Sequence, residues 1–215
     1  MSVRKIKKSY ISCVGYFKSY KNNKQLAFES ILERDFFTIL EFDDTVIAYE
    51  EQPLQIKYVL NGSVTKYTPD VMVTCKDGTK KVFEVKYQNE IDSDEELQNK
   101  LSVLKEVIPA QTSFPFEIFT DKQLNSIYLK NCVFLYKYAF LIQVIDMQAI
   151  VSQAIKNQQE PISIKKFLEY LSPNQDEQLR ILPYLWRNVF ENHSLIDMQR
   201  PITMSSLLQL RNYRG

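Results

Sequence analysis

The apolar positions of this chain follow two different periods. Phe28, Ile31, Leu32, Phe36, Ile39 and Leu40 recur at three-and-four spacing, which predicts an amphipathic helix over 28–40. Glu29 and Glu33, four apart, then share one side of it. Beyond residue 45 the period drops to two. Thr45 to Tyr49 is a short β-prone piece, and Leu54, Ile56, Tyr58 and Leu60 alternate up to an Asn61-Gly62 hairpin turn. Val64 to Tyr67 returns, Thr68-Pro69 is extended, and Asp70 to Cys75 reads as the next strand. A tight turn at Lys76-Asp77-Gly78 leads into its partner, Lys80 to Tyr87, with Val82, Glu84 and Lys86 on one face and Phe83 and Val85 on the other.

The helical period then resumes. Ser93 to Val107 carries Leu97, Leu101, Leu104 and Val107, with Ser93 as the expected cap and Pro109 as the expected end. A short strand at Phe116 to Thr120 and a helix at Lys122 to Ile127 follow, with Asp121 as that helix's cap. Helix, hairpins, helix and strand together predict an α/β fold with a mixed central sheet. From about Asn131 a second, mainly helical unit is expected. Leu135 to Ile155, Ser163 to Leu171 and Gln175 to Phe190 are its helical stretches. Asp197, Arg200-Pro201 and Thr203 interrupt the apolar positions of 195–208 in the manner of a two-stranded wing, which predicts a winged helix. The domain boundaries read as a basic arm over 1–27, a catalytic domain over 28–130 and a winged-helix-like domain over 131–215.

Composition narrows the class. No apolar run approaches the roughly 18 residues needed to span a bilayer. The start of the chain lacks the apolar stretch of a secretory signal. Cys13, Cys75 and Cys132 are odd in number and far apart, so a disulfide framework is not expected and a reducing cytoplasm is. The single histidine, His193, excludes a zinc site needing two. The net charge of +1 conceals an asymmetry: Arg4, Lys5, Lys7, Lys8, Lys18, Lys21 and Lys24 precede the first acid, Glu29. Interleaved with Tyr10, Tyr16, Phe17 and Tyr20, this stretch suits phosphate contacts, and equally a solvated terminus.

The candidate chemistry lies in two adjacent strands. Asp70 opens one, and Glu84 and Lys86 share a face of the other. Two converging carboxylates can hold a hard cation such as magnesium. A neighbouring lysine can orient or deprotonate water, or stabilise charge on a phosphate oxygen. Metal-assisted phosphodiester hydrolysis follows from that set. Taken alone, alternating Lys and Glu also describes a solvated sheet face.

Pro69-Asp70 followed by Glu84-Val85-Lys86 resembles the core of the restriction-endonuclease-like superfamily. More narrowly, the motifs running from Phe28-Glu29-Ser30-Ile31-Leu32-Glu33-Arg34-Asp35-Phe36 through Glu51-Gln52-Pro53 and Tyr67-Thr68-Pro69-Asp70 to Phe119-Thr120-Asp121-Lys122 resemble the TnsA-type endonuclease subunits of heteromeric transposases. The resemblance implies a catalytic helix glutamate at Glu33, with Glu29 as the alternative. It implies metal ligands at Glu33, Asp70 and Glu84 with the Val85 carbonyl, and a catalytic lysine at Lys86. It further implies Mg2+ as cofactor, with Mn2+ as a substitute, and double-stranded DNA at transposon ends as substrate. The expected partners are a DDE transposase that cuts the 3′ ends while this chain cuts the 5′ ends, and an AAA+ ATPase regulator engaged by the C-terminal domain. A stand-alone restriction or defence nuclease of the same fold is the alternative, and a non-catalytic DNA-binding adaptor a third.

Overall fold

The alternating segments pair as expected around the site. In the computed structural model, which describes residues 13–142 and 145–209, the chain divides into two units at Gln123/Leu124. The first unit runs β1 (Gly15–Ser19), β2 (Lys24–Phe28), α1 (Ile31–Glu41), β3 (Val46–Glu51), β4 (Ile56–Leu60), β5 (Ser63–Tyr67), β6 (Val71–Cys75), β7 (Lys80–Val85), α2 (Gln88–Ser93), α3 (Glu95–Thr112) and β8 (Phe116–Phe119). Its main sheet has the order β3-β6-β7-β8, antiparallel except for the parallel pair β7–β8. A mixed sheet between helices is consistent with a restriction-endonuclease-like fold.

Side-chain parity decides what each sheet face covers. Phe83 and Phe119 meet Phe36 of α1, with ring centroids 5.1 and 4.4 Å apart. On the other face, Met72, Val82 and Phe116 pack with Leu101, Leu104 and Ile108 of α3 and with Ile56, Tyr58 and Tyr67 of the β4–β5 hairpin. Glu84, two residues on from Val82, therefore faces the hairpin side. Asn61 and Gly62 both take positive φ (50° and 76°), the left-handed geometry that a two-residue hairpin turn requires. Lys57 and Lys66 stand opposite each other on the outer face of this hairpin, beside exposed Val59 and Val64.

Three expectations change in this unit. From Cys13 onward the expected basic arm is ordered secondary structure, the β1–β2 hairpin, and Phe28 closes β2 instead of opening α1; residues 1–12 lie outside the described residues. The hairpin is tied to α1 and β3 through Glu41, which accepts from the hydroxyls of Ser19 (2.6 Å) and Tyr49 (2.5 Å). Lys21 donates to the carbonyls of Asp43 and Val46. Helix α3 starts from Asp94, whose side chain accepts from the Leu97 N–H, and not from Ser93. It also runs through Pro109 to Thr112. Proline removes one helical hydrogen bond, but Ile108 is fully buried beside it and holds the last turn down.

The second unit comprises α4 (Ser126–Tyr136), α5 (Ile145–Asn157), β9 (Ile162–Ser163), α6 (Ile164–Leu171), α7 (Gln175–Glu191) and β10 (Leu207–Leu208). Its boundary falls ahead of α4, so Asn131 lies inside a helix. Leu185, Trp186, Val189 and Phe190 of α7 are buried and meet α4, α5 and α6, which explains Trp186 as core. The local two-stranded wing expected within 195–208 is not formed among the described residues. Instead β10 pairs with β9. The physical reason is Asn131: its amide donates to the carbonyls of Met198 (3.0 Å) and Arg200 (2.7 Å), and its oxygen accepts from the Ile202 N–H. Backbone groups a local hairpin would need are thereby spent on α4. No helix among the described residues is long and apolar enough to cross a membrane.

Candidate active site

Asp70 and Glu84 become neighbours through strand register. Pairing of Val71 with Phe83 and Met72 with Val82 extends to set Asp70 beside Glu84. The Asp70 N–H donates to the Phe83 carbonyl at 3.1 Å, and its Oδ2 accepts from the Val85 N–H at 2.7 Å. Glu84 is only 3% exposed, yet it is a carboxylate with partners. The Tyr67 hydroxyl donates to its Oε2, and the Lys86 Nζ lies 3.7 Å from its Oε1. Three of the four residues expected from the sequence thus converge on one sheet face.

The electrostatics follow from crowding two carboxylates into a half-buried site. Burial, and then the charge of Glu84, push the Asp70 carboxyl up to about 7, against the Val85 N–H and Lys86, which favour its ionised form. Burial pulls the Lys86 ammonium down, but the charges of Glu84, Asp70, Glu90 and Glu33 outweigh it and leave its pKa raised. Lys86 is therefore held as a cation. Asp70 and Glu84 are an all-oxygen donor pair of the type that hard divalent cations take, and the expected further donor is the carbonyl of Val85, whose N–H donates to Asp70. The pair fits a cation, which would stabilise the ionised form of Asp70 against burial first and against the charge of Glu84 second.

Glu33, expected as a further metal ligand, is held at the start of α1 within electrostatic reach of Asp70 and Lys86. Among the described residues, no three His, Cys, Asp or Glu side chains group closely enough to hold a metal ion. Both Glu33 oxygens are engaged at the start of α1: Oε1 accepts from the Ser30 hydroxyl (3.0 Å) and Oε2 from the Glu29 N–H (2.9 Å). Ser30 in turn accepts from the Glu33 N–H (3.1 Å), which makes a reciprocal capping box. Burial raises the Glu33 carboxyl, and the charge of Lys86 opposes that rise, so the two groups feel one another. Glu29 is exposed and accepts from the Gln52 side-chain amide at 3.2 Å.

Two supporting residues stand in the quoted motifs without having been assigned to the site. Tyr67 holds Glu84; its position three residues before Asp70 was visible, its aim was not. Gln52 has a positive φ of 45° and donates its backbone N–H to the Asp70 carbonyl at 2.9 Å, pinning the start of β6. Asp121, expected to cap the segment after it, accepts instead from the Gln88 N–H at 2.7 Å and caps α2.

The chain matches the family model of the TnsA-like endonuclease N-terminal domain over residues 43–121 and that of the TnsA endonuclease C-terminal domain over residues 123–198. The first match opens at Asp43, after α1, and so contains Asp70, Glu84 and Lys86 but not Glu33. No curated protein matches the chain. Two domain models in the right order, across 43–198, place both units in one family: the chain belongs to the TnsA-type endonucleases.

Proposed function

We propose that the chain is a magnesium-dependent DNA endonuclease and one subunit of a transposase. The observation that carries this reading is half-buried Asp70 beside buried Glu84, with Lys86 next to them, within the segment matched by the TnsA-like N-terminal model. Asp70, Glu84 and the Val85 carbonyl would hold Mg2+, and Mn2+ would take the same oxygens. The bound ion supplies positive charge to phosphate oxygens and acidifies the attacking water. Lys86, kept protonated by its carboxylate neighbours, donates to a non-bridging phosphate oxygen and orients the water for in-line attack, as the P–O bond to the leaving sugar oxygen breaks. Glu33 acts from the helix side by fixing the charge that faces Lys86. Its closeness to Lys86 favours it over Glu29.

The family assignment supports a division of labour in which this chain cuts the 5′ transposon ends while a DDE transposase cuts the 3′ ends. The second unit is read as the docking module for an AAA+ ATPase regulator. Its order of α5, β9, α6, α7 and β10 supports a winged-helix reading in which β9–β10 takes the place of the local hairpin. The test is cleavage of transposon-end DNA by the purified chain together with the partner transposase, with and without Mg2+. Asp70→Ala and Lys86→Ala should each lose 5′-end cleavage at least 100-fold while keeping the parent's circular dichroism spectrum. An Asp70→Ala variant that cuts as well as the parent sinks the proposed site.

A further inference from the structure

Glu84 presents its two oxygens to two different partners, and one of these is not part of the catalytic pattern. Oε1 faces Lys86, and Oε2 accepts the hydroxyl proton of Tyr67. Tyr67 is 6% exposed and cannot swing away. Its ring stands edge-on to Tyr58 (centroids 6.4 Å apart) and to Phe116 (6.3 Å), and the Lys100 ammonium lies 4.9 Å from its centroid. The chain from Tyr67 to Asp70 is a short link through Thr68 and buried Pro69, whose ring fixes φ. One segment therefore holds Glu84 from two directions: Asp70 stands beside it from β6, and the Tyr67 hydroxyl reaches it from the end of β5.

We infer that Tyr67 is a positioning residue that locks the Glu84 carboxylate in one rotation, so that Oε1 alone is turned toward Lys86 and the metal position. The inference rests on the metal reading above and goes beyond it. A buried carboxylate oxygen without a donor is costly, so some donor at Oε2 is needed whatever the function. What turns a structural bond into a positioning one is its geometry. A hydrogen bond to one oxygen fixes the rotation of the carboxylate and so the direction in which the other oxygen points, and partners of that kind set ligand orientation and typically change metal affinity 10- to 100-fold when removed. Phenylalanine fills the same ring site and lacks only the donor.

The experiment is a Mn2+ titration of the full chain followed by electron paramagnetic resonance, with urea unfolding run in parallel. Tyr67→Phe should weaken Mn2+ binding at least 10-fold. Ile108→Val, which thins the same apolar cluster without touching the hydroxyl, should lower the urea midpoint and leave Mn2+ affinity within twofold of the parent. A double-mutant cycle with Glu84→Gln separates direct from indirect action: the effect of Tyr67→Phe should shrink to less than threefold once Glu84 is replaced. In cleavage, Tyr67→Phe should lower kcat and leave KM for DNA unchanged. Equal Mn2+ affinity of Tyr67→Phe and parent overturns this inference alone, as does an equal loss in Ile108→Val. A parent chain that binds no Mn2+ overturns the metal reading and this inference with it.

Discussion

Removing the Asp70 charge should stabilise the metal-free protein, and the gain should grow with pH. The structure sets the magnitude. Asp70 ionises at about 7 in the folded chain, raised from an ordinary value of 3.8. Between those two values the unfolded chain has lost a proton that the native chain still binds, so stability falls as pH rises through the window and levels off above about 7. At about 1.4 kcal/mol for each decade of pH, the penalty is on the order of 4 kcal/mol when complete, with more than half of it accruing between pH 5 and pH 8. Asp70→Asn keeps an oxygen for the Val85 N–H and carries no charge, so it escapes the penalty. Urea unfolding in the presence of a chelator should therefore show the variant's advantage over the parent widening by roughly 2 to 3 kcal/mol from pH 5 to pH 8. Far-UV circular dichroism is the appropriate signal, because Trp186, the one tryptophan, lies in the other unit. Adding Mg2+ at pH 8 should stabilise the parent and not the variant. An advantage that stays constant across pH would refute the account of Asp70 as a repelled, half-buried carboxyl.

Three further outcomes follow from other parts of the molecule. Ser30→Ala removes the hydroxyl that both caps α1 and holds Glu33, and should cost about 1 kcal/mol in urea unfolding. Its cleavage rate should fall too if the cap fixes Glu33; an unchanged rate would separate the helix cap from catalysis. Lys66→Glu replaces a like-charge cross-strand pair with Lys57 by an opposite one and should stabilise the first unit by about 0.5 kcal/mol at low salt, a gain that vanishes in 1 M NaCl. Asn131→Ala breaks three hydrogen bonds that hold residues 198–202 and should destabilise the second unit by about 2 kcal/mol, read by Trp186 fluorescence, with the first unit's unfolding unchanged.

Features with short-range causes were legible in the sequence. Alternation in 54–60 and 64–67, the Asn61-Gly62 turn and the Gly78 turn (φ 83°) specify the two hairpins locally, and the parity of Glu84 and Lys86 follows from period two. That parity sufficed to bring Asp70, Glu84 and Lys86 together. The features missed depend on contacts far away in sequence. β1 and β2 have only Phe17, Ser19, Leu26 and Phe28 buried, and the partners of this hairpin are Glu41, which meets Ser19, and Tyr49, whose N–H meets Asn22 of the turn. The pairing of β9 with β10 joins residues on opposite sides of two helices. Glu33 carries a local signal as well: the Ser-x-x-Glu spacing of Ser30 and Glu33 is a capping signature, and the cap forms.

The buried Glu41 changes how the beginning of the chain should be handled in practice. A lysine-rich leader invites deletion to improve solubility or crystallisation. Cutting after Phe28 would strip Glu41 of the Ser19 hydroxyl (2.6 Å) and the Lys21 N–H (3.1 Å), and would uncover the side of α1 and β3 on which it meets the Tyr49 hydroxyl. It would also take Phe17 from the ring of Phe37, whose helix carries Glu33. A shortened version could thus lose activity with every catalytic side chain still in its sequence. Expression tags are better placed ahead of an intact β1–β2 hairpin than in exchange for it.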